Sequence, residues 1–262
     1  MATATAFVPT GTEGTKRPSL FDILGEFRVP YEAALSWLSI FNYPWRHVDR
    51  AESKVVMLIP GFMAGDATLI PLAHFLRLLG HRTVFSGIMS NSRCPSDTLR
   101  DLATRLARAH ERFGGRIVVV GQSLGGVYAR ALARENRDLV ERVITLGSPI
   151  RQPRDAANYA VATVVSSVAT LRGKANGCLS ENCQCGLRLT DEAPVDVPIT
   201  VVYSRTDGVV HWQACIDRSG LTNVENVEIL GSHCGMAVNV EAFRVIADRL
   251  EMRRERSTHA RP

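Results

Sequence analysis

The chain has no run of roughly 18 or more uncharged apolar residues, so the sequence offers no transmembrane helix. Residues 1–15 are small and polar and lack a basic stretch, which argues against a secretory signal and leaves the cytoplasm as the expected location. Internal repeats and low-complexity tracts are missing too, so a repeat array is excluded. Nor is there a large excess of charge. The net charge is +5, much of it in the tail at Arg253, Arg254, Arg256 and Arg261. That is too mild to call for a nucleic acid partner. A solvated tail is the ordinary reading, and peripheral contact with an anionic membrane surface is the sharper one.

What is present suits one α/β domain. The 262 residues are 45% hydrophobic and 22% charged, enough for one large core and one sizeable insertion. Residues 1–18 read as a flexible leader. Residues 19–50 have helical spacing (Leu20, Leu24, Phe27, then Tyr31, Leu35, Leu38, Phe41), with Pro30 as a break. The aromatic residues Trp37, Tyr43 and Trp45 close this extension, which either packs on the body or offers a surface to lipid.

From residue 51 to 252 strands alternate with helices. The expected strands are Lys54–Ile59, Thr83–Ser86, Ile117–Val120, Val143–Leu146, Ile199–Tyr203 and Val227–Leu230. Between them fall helices marked by Leu69 to Leu79, by Leu99 to Phe113 and by Leu124 to about Glu135, and a last one covers Val240 to Leu250. Continuous β-branched runs between helices mean strands buried on both faces, hence a mostly parallel sheet of about six strands. Residues 149–197 are too long for a simple crossover and read as a cap or lid. Residues 253–262 form the basic tail.

Gly121-Gln122-Ser123-Leu124-Gly125 fits G-x-S-x-G and stands between a strand and a helix, the context that makes the pattern specific. There a serine sits on a strained elbow with its Oγ above the sheet, and glycines two residues to either side avoid collision. The helix N-terminus behind it favours developing negative charge. A hydroxyl needs a base, and the base an orienting acid. Asp207 follows the strand Ile199–Tyr203, and His233 follows Val227–Leu230. Both lie at the carboxyl edge, in the chain order Ser, Asp, His. The rivals are His211, too close to Asp207 in sequence, and the acids Asp155, Asp191 and Asp196 of the cap region. His74, His81 and His110 read as surface or helix-end residues.

Acyl transfer places charge on a carbonyl oxygen, which aimed backbone N–H groups stabilise by roughly 3 kcal/mol each. Leu124, next to the nucleophile, supplies one. The loop Pro60-Gly61-Phe62-Met63 after the first strand supplies the other, with Phe62 ahead of Met63. Met63 and Gln122 are further expected to border the substrate. No cofactor and no metal is called for.

Pro-Gly-Phe at 60–62, Gly-Gln-Ser-Leu-Gly-Gly at 121–126, Gly-Ser-Pro at 147–149, Tyr-Ser-Arg-Thr-Asp-Gly-Val-Val at 203–210 and Ser-His-Cys-Gly-Met at 232–236 resemble the bacterial lipase/esterase branch of the α/β-hydrolase superfamily. The likeness runs from Lys54 to Leu250, with a helical N-terminal extension in place of the first strands. It implies the α/β-hydrolase fold, a Ser–Asp–His triad and ester chemistry; the preference for a small lipid-like acyl ester, and with it a place in lipid metabolism, comes instead from the apolar cap region and the aromatic N-terminal extension. The resemblance implies no particular substrate. The loop Ile88–Pro95 departs from that branch, lacking aromatic and glycine-rich character. The same triad would equally serve an acyltransferase, and the pocket alone a non-catalytic lipid- or ligand-binding protein.

Six cysteines remain. Cys178, Cys183 and Cys185 crowd the cap region, and Cys94, Cys215 and Cys234 lie elsewhere. The spacing of the trio is poor for zinc. Packed thiols, or a disulfide within the trio or to Cys215, are both open readings. Cys234 neighbours the candidate base but has no elbow to present it as a nucleophile.

Overall fold

A computed structural model describes residues 25–32, 34, 53–150 and 194–251. The leader, most of the cap region, Trp37, Tyr43, Trp45, the cysteine trio, Asp155, Asp191 and the basic tail lie outside the described residues.

Six strands form one sheet: β1 (Val55–Ile59), β2 (Arg82–Phe85), β3 (Ile117–Gln122), β4 (Val140–Leu146), β5 (Ile199–Tyr203) and β6 (Val224–Glu228). Their order is β2-β1-β3-β4-β5-β6, and every pair is parallel. From residue 53 on, the described α-helices are α1 (Ile70–Leu78), α2 (Pro95–Phe113), α3 (Leu124–Glu135), the single turn α4 (Trp212–Cys215) and α5 (Val240–Glu251).

The side-chain alternation of the strands divides the core into two layers. Val56, Leu58, Val118, Val120, Ile144, Leu146 and Val202 point to one face, where α1 and α5 cover them with Leu72, Phe75, Leu76, Phe243 and Ile246. Val55, Met57, Ile59, Ile117, Val119, Val143 and Val201 point to the other, under Leu99, Leu102 and Leu106 of α2 and Tyr128, Ala129 and Leu132 of α3. Strands covered on both sides need apolar residues at every position, which is why β1 and β3 read as unbroken runs.

The last strand differs from the expected Val227–Leu230. It begins three residues earlier and ends at Glu228. β6 is an edge strand with one half-open face, so Val224, Asn226 and Glu228 alternate with their neighbours where a central strand would be apolar throughout. Leu230, counted into the strand on hydrophobicity, lies beyond it with two thirds of its surface exposed (66%). β4 also starts earlier than expected, at Val140. His81, read as a surface or helix-end residue, is buried, and its Nδ1 accepts the Lys54 N–H at 3.2 Å.

Register aligns the carboxyl ends of the central strands. Ile59 pairs with Gly121, Gln122 with Leu146 and Leu146 with Val202. The loops that follow β1, β3, β4 and β5 therefore leave the sheet side by side.

Candidate active site

Ser123 follows β3 directly and caps α3. Its backbone is at φ 52° and ψ −123°, a conformation that side chains rarely adopt. Among the described residues only one other non-glycine has positive φ: Met63, at 57°. Both belong to the loops that meet at this edge, where such strain costs about 1–3 kcal/mol each and persists because the surroundings fix it. The elbow is as tight as its motif predicts. A Cβ on Gly121 would collide with the backbone of Gly125 and Gly126, and one on Gly125 with the Ile59 carbonyl. The Ser123 N–H donates to the Leu146 carbonyl at 2.8 Å, which anchors the turn to β4.

Asp207 and His233 are brought together by the loops after β5 and β6. His233 Nδ1 lies 2.7 Å from Asp207 Oδ2, and both side chains are almost entirely buried. The other carboxylate oxygen, Oδ1, accepts the Val209 and Val210 N–H groups at 2.8 Å each, so the buried charge is fully hydrogen-bonded. Facing an acceptor-only carboxylate, Nδ1 carries the ring proton and leaves Nε2 with its lone pair. The two loops are also tied to each other: Thr206 Oγ1 donates to the Gly231 carbonyl at 3.1 Å.

His233 is held at its backbone polar atoms as well. Its N–H donates to Glu26 Oε1 at 2.8 Å, and its carbonyl accepts from Gln122 Nε2 at 3.1 Å. Among the described residues Nε2 is the one polar atom of His233 without a partner. The Ser123 hydroxyl likewise has no hydrogen bond among the described residues. Burial pulls the imidazole pKa down. The Asp207 charge and hydrogen bond, with the Glu26 charge behind them, outweigh it, and the net shift is upward from 6.5.

Gly147, at φ 56°, is the floor of this arrangement. A Cβ there would stand 3.0 Å from Met236 Sδ and 3.1 Å from both Asp207 Oδ2 and His233 Nδ1. On the opposite side of the elbow the loop after β1 presses in, and a Cβ on Gly61 would be 3.1 Å from the Ser123 Cβ. That loop is a turn closed by the Ala64 N–H to the Gly61 carbonyl at 3.1 Å. The Met63 N–H is already spent on the Asn91 carbonyl at 3.0 Å. Phe62 N–H has no acceptor among the described residues, and Leu124 N–H is at the first position of α3, where no intrahelical acceptor exists.

The two rivals among the described residues are otherwise engaged. His211 caps α4, its Nδ1 accepting the Gln213 N–H at 3.4 Å. Asp196 is exposed and faces Arg137 at 3.5 Å. Cys215 and Cys234 are free thiols. Desolvation, then the Glu26 carboxylate, pushes the Cys234 thiol up to about 12, so it carries no thiolate near neutrality. Gln122 is buried, its amide committed to His233. The Met63 side chain is open to solvent. Among the described residues no group of three or more His, Cys, Asp or Glu could hold a metal ion, and no helix is long and apolar enough to cross a membrane.

Three residues with no motif of their own also shape the site. Glu26 and Glu32, from the N-terminal segment, reach the loops of Asp207 and His233. Asn91, from the Ile88–Pro95 loop, donates Nδ2 to the Pro60 carbonyl at 2.7 Å. Only their type and a later contact could reveal them, since nothing in the local spacing does.

No family model and no curated sequence matches the chain. Solved structures do. MGS-MChE2, an α/β hydrolase enzyme from a sediment metagenome of the lagoon of Mar Chica, Morocco, is 16% identical with a TM-score of 0.54, over 79% of this chain and 93% of that one. Est1E of Butyrivibrio proteoclasticus, solved with ferulic acid, is 15% identical with a TM-score of 0.53, over 79% and 90%. Mouse α/β hydrolase domain-containing protein 10 is 17% identical with a TM-score of 0.52, over 75% and 88%. With the six-stranded parallel sheet and its helices on both faces, these likenesses establish the α/β-hydrolase fold.

Proposed function

We propose that the protein is a serine hydrolase of carboxylic esters that works through an acyl-enzyme on Ser123. The observation that carries this reading is the buried His233–Asp207 pair, 2.7 Å apart, with Nε2 left unpartnered at the sheet edge that also presents Ser123 on its strained elbow. A fold alone hosts many activities. This constellation at this edge is what narrows the choice.

In this mechanism Ser123 Oγ attacks the acyl carbonyl while His233 Nε2 takes its proton. Asp207 keeps the ring in the Nδ1–H tautomer and stabilises the imidazolium. The carbonyl oxygen, now an oxyanion, receives the N–H groups of Phe62 and Leu124. The imidazolium then gives its proton to the departing alcohol, which leaves an ester on Ser123. Water adds to that ester as His233 takes a proton from it, and the acid departs with Ser123 restored. Hydrogen bonds between nucleophile and base are often long in an empty site and tighten when substrate arrives, which fits the unbonded Ser123 hydroxyl.

Phe62 is the second donor in this reading because the Met63 N–H is already engaged. Gln122, expected beside the substrate, acts instead as a strut that fixes the His233 backbone. The exposed side chains of Met63 and Met89 lie on loops joined at this edge, and they favour an apolar acyl group over a polar one. The test is labelling with a fluorophosphonate together with turnover of p-nitrophenyl esters of graded acyl length. Labelling at Ser123 and turnover that both vanish in Ser123→Ala support the proposal. Labelling elsewhere, or unchanged turnover in that variant, refutes it.

A further inference from the structure

The N-terminal segment reaches the site with two carboxylates. Glu26 Oε1 accepts the Gly208 N–H at 3.0 Å and the His233 N–H at 2.8 Å, and Oε2 accepts the Cys234 N–H at 2.9 Å. One side chain thus bridges the loop of the acid and the loop of the base. Glu32 completes the grip, with Oε1 on the Ser232 N–H at 2.9 Å and Oε2 on the Ser232 hydroxyl at 2.6 Å. Arg28, between them, donates to the Thr206 carbonyl at 3.3 Å and pairs with Glu32 at 3.7 Å. A carboxylate is the one side-chain group able to accept three converging N–H bonds on two oxygens, and charge-assisted bonds of this kind are the strong ones.

We propose that Glu26 is a positioning residue for the catalytic pair, fixing the Asp207 and His233 loops to each other from outside the sheet. The proposal rests on the serine-hydrolase reading above. Glu26 touches neither substrate nor reacting atoms. It acts through the His233 backbone and through its negative charge beside the ring. Among the described residues the charged and titratable groups facing His233 are Asp207 from the loop after β5, Glu26 from the N-terminal segment with Glu32 and Arg28 beyond it, and Cys234 on its own loop. Glu26 is the member whose charge reaches the ring from outside the two catalytic loops.

The experiment compares the full chain with Glu26→Gln, Glu26→Asp and, as a control on the same segment, Tyr31→Ala, whose side chain is exposed. In Glu26→Gln, kcat on a p-nitrophenyl ester falls roughly ten- to a hundred-fold with KM little changed, as when a catalytic group is slightly misplaced. The His233 ring, followed by NMR, titrates at lower pH. Tyr31→Ala behaves as the parent. Parental kcat together with a parental His233 titration in Glu26→Gln overturns the proposal. If Glu26→Gln does not fold, Glu26→Asp decides, because it keeps the charge and loses the reach: a reduced kcat with the titration retained supports the role, and parental kcat overturns it. The titration needs no substrate. A parent that neither labels with fluorophosphonate nor cleaves esters would therefore sink the hydrolase reading while leaving the clamp itself measurable.

Discussion

Gln122, the residue before Ser123, donates its side-chain N–H to the backbone carbonyl of His233 at 3.1 Å, across 111 positions of sequence. The end of β3 and the loop after β6 are thereby locked to each other beneath the candidate site. In Gln122→Ala the carbonyl loses its main donor and keeps only the Met236 N–H at 3.4 Å. The expected cost is about 1 kcal/mol in stability by denaturant titration, with kcat reduced and KM nearly unchanged. A variant with parental kcat would show that the strut is purely structural.

The positive φ of Ser123 separates stability from activity at one position. Ser123→Ala removes the hydroxyl and keeps the strain. Ser123→Gly removes both. On the proposed mechanism neither variant is expected to turn over esters, and the glycine variant is expected to be the more stable of the two by about 1 kcal/mol. Thermal melts of the two side by side check this. A glycine variant that melts below the alanine variant would mean that the elbow is not strained.

The pH dependence has a definite sign. In the proposed mechanism His233 is the general base, which works neutral, so kcat/KM is expected to rise as His233 loses its proton. Its pKa is held above 6.5 by Asp207 and Glu26 against the opposing effect of burial. The midpoint of the acidic limb therefore lies above 6.5 in the parent. Asp207→Asn removes the largest upward influence and leaves burial, so the limb moves to lower pH. The tautomer is lost as well, and the remaining rate is lower by roughly 10⁴-fold. A pH–rate profile for each protein tests both statements, and a limb that stays in place in Asp207→Asn would contradict them.

Asn91 stitches the turn that carries Phe62. Its Nδ2 holds the Pro60 carbonyl, its backbone carbonyl takes the Met63 N–H, and its own N–H goes to the Ala64 carbonyl at 2.8 Å. Asn91→Ala leaves the buried Pro60 carbonyl unpaired, at a cost of about 1–3 kcal/mol. With the donor loop freed, kcat should fall more than KM changes. Steady-state kinetics with an ester that the parent cleaves would show this, and a rise in KM alone would place Asn91 in ground-state binding instead.

How much of this could be read from the chain depends on how local each signal is. Ile117–Val120 is β-branched without interruption and stands before a glycine-flanked serine, so the strand, the elbow and α3 are all marked within a few residues. Asp207 and His233 stand out because each follows a strand in the expected order, and the structure brings the two together. β6 was displaced because an edge strand hides its pattern in Val224, Asn226 and Glu228, while the more hydrophobic Ile229 and Leu230 lie past its end. Glu26, Glu32 and Asn91 leave no mark at all. A carboxylate or amide that binds backbone groups far away in sequence looks like any other surface residue until the chain is folded. The loop Ile88–Pro95 is atypical in sequence, but nothing in that sequence marks its use as a brace.

The parallel sheet has one more consequence, for how the molecule comes to be. Every pair in it is parallel, so among the described strands none can close as a hairpin and serve as an early template. β1 must wait for β3, and β4 for β5 across residues 147–198, before any ladder is complete. Such non-local closure is slow, and it leaves apolar strands such as Val55–Ile59 open to other chains in the meantime. Refolding from denaturant is accordingly expected to lose yield as protein concentration rises, with competition between self-association and sheet assembly setting the limit.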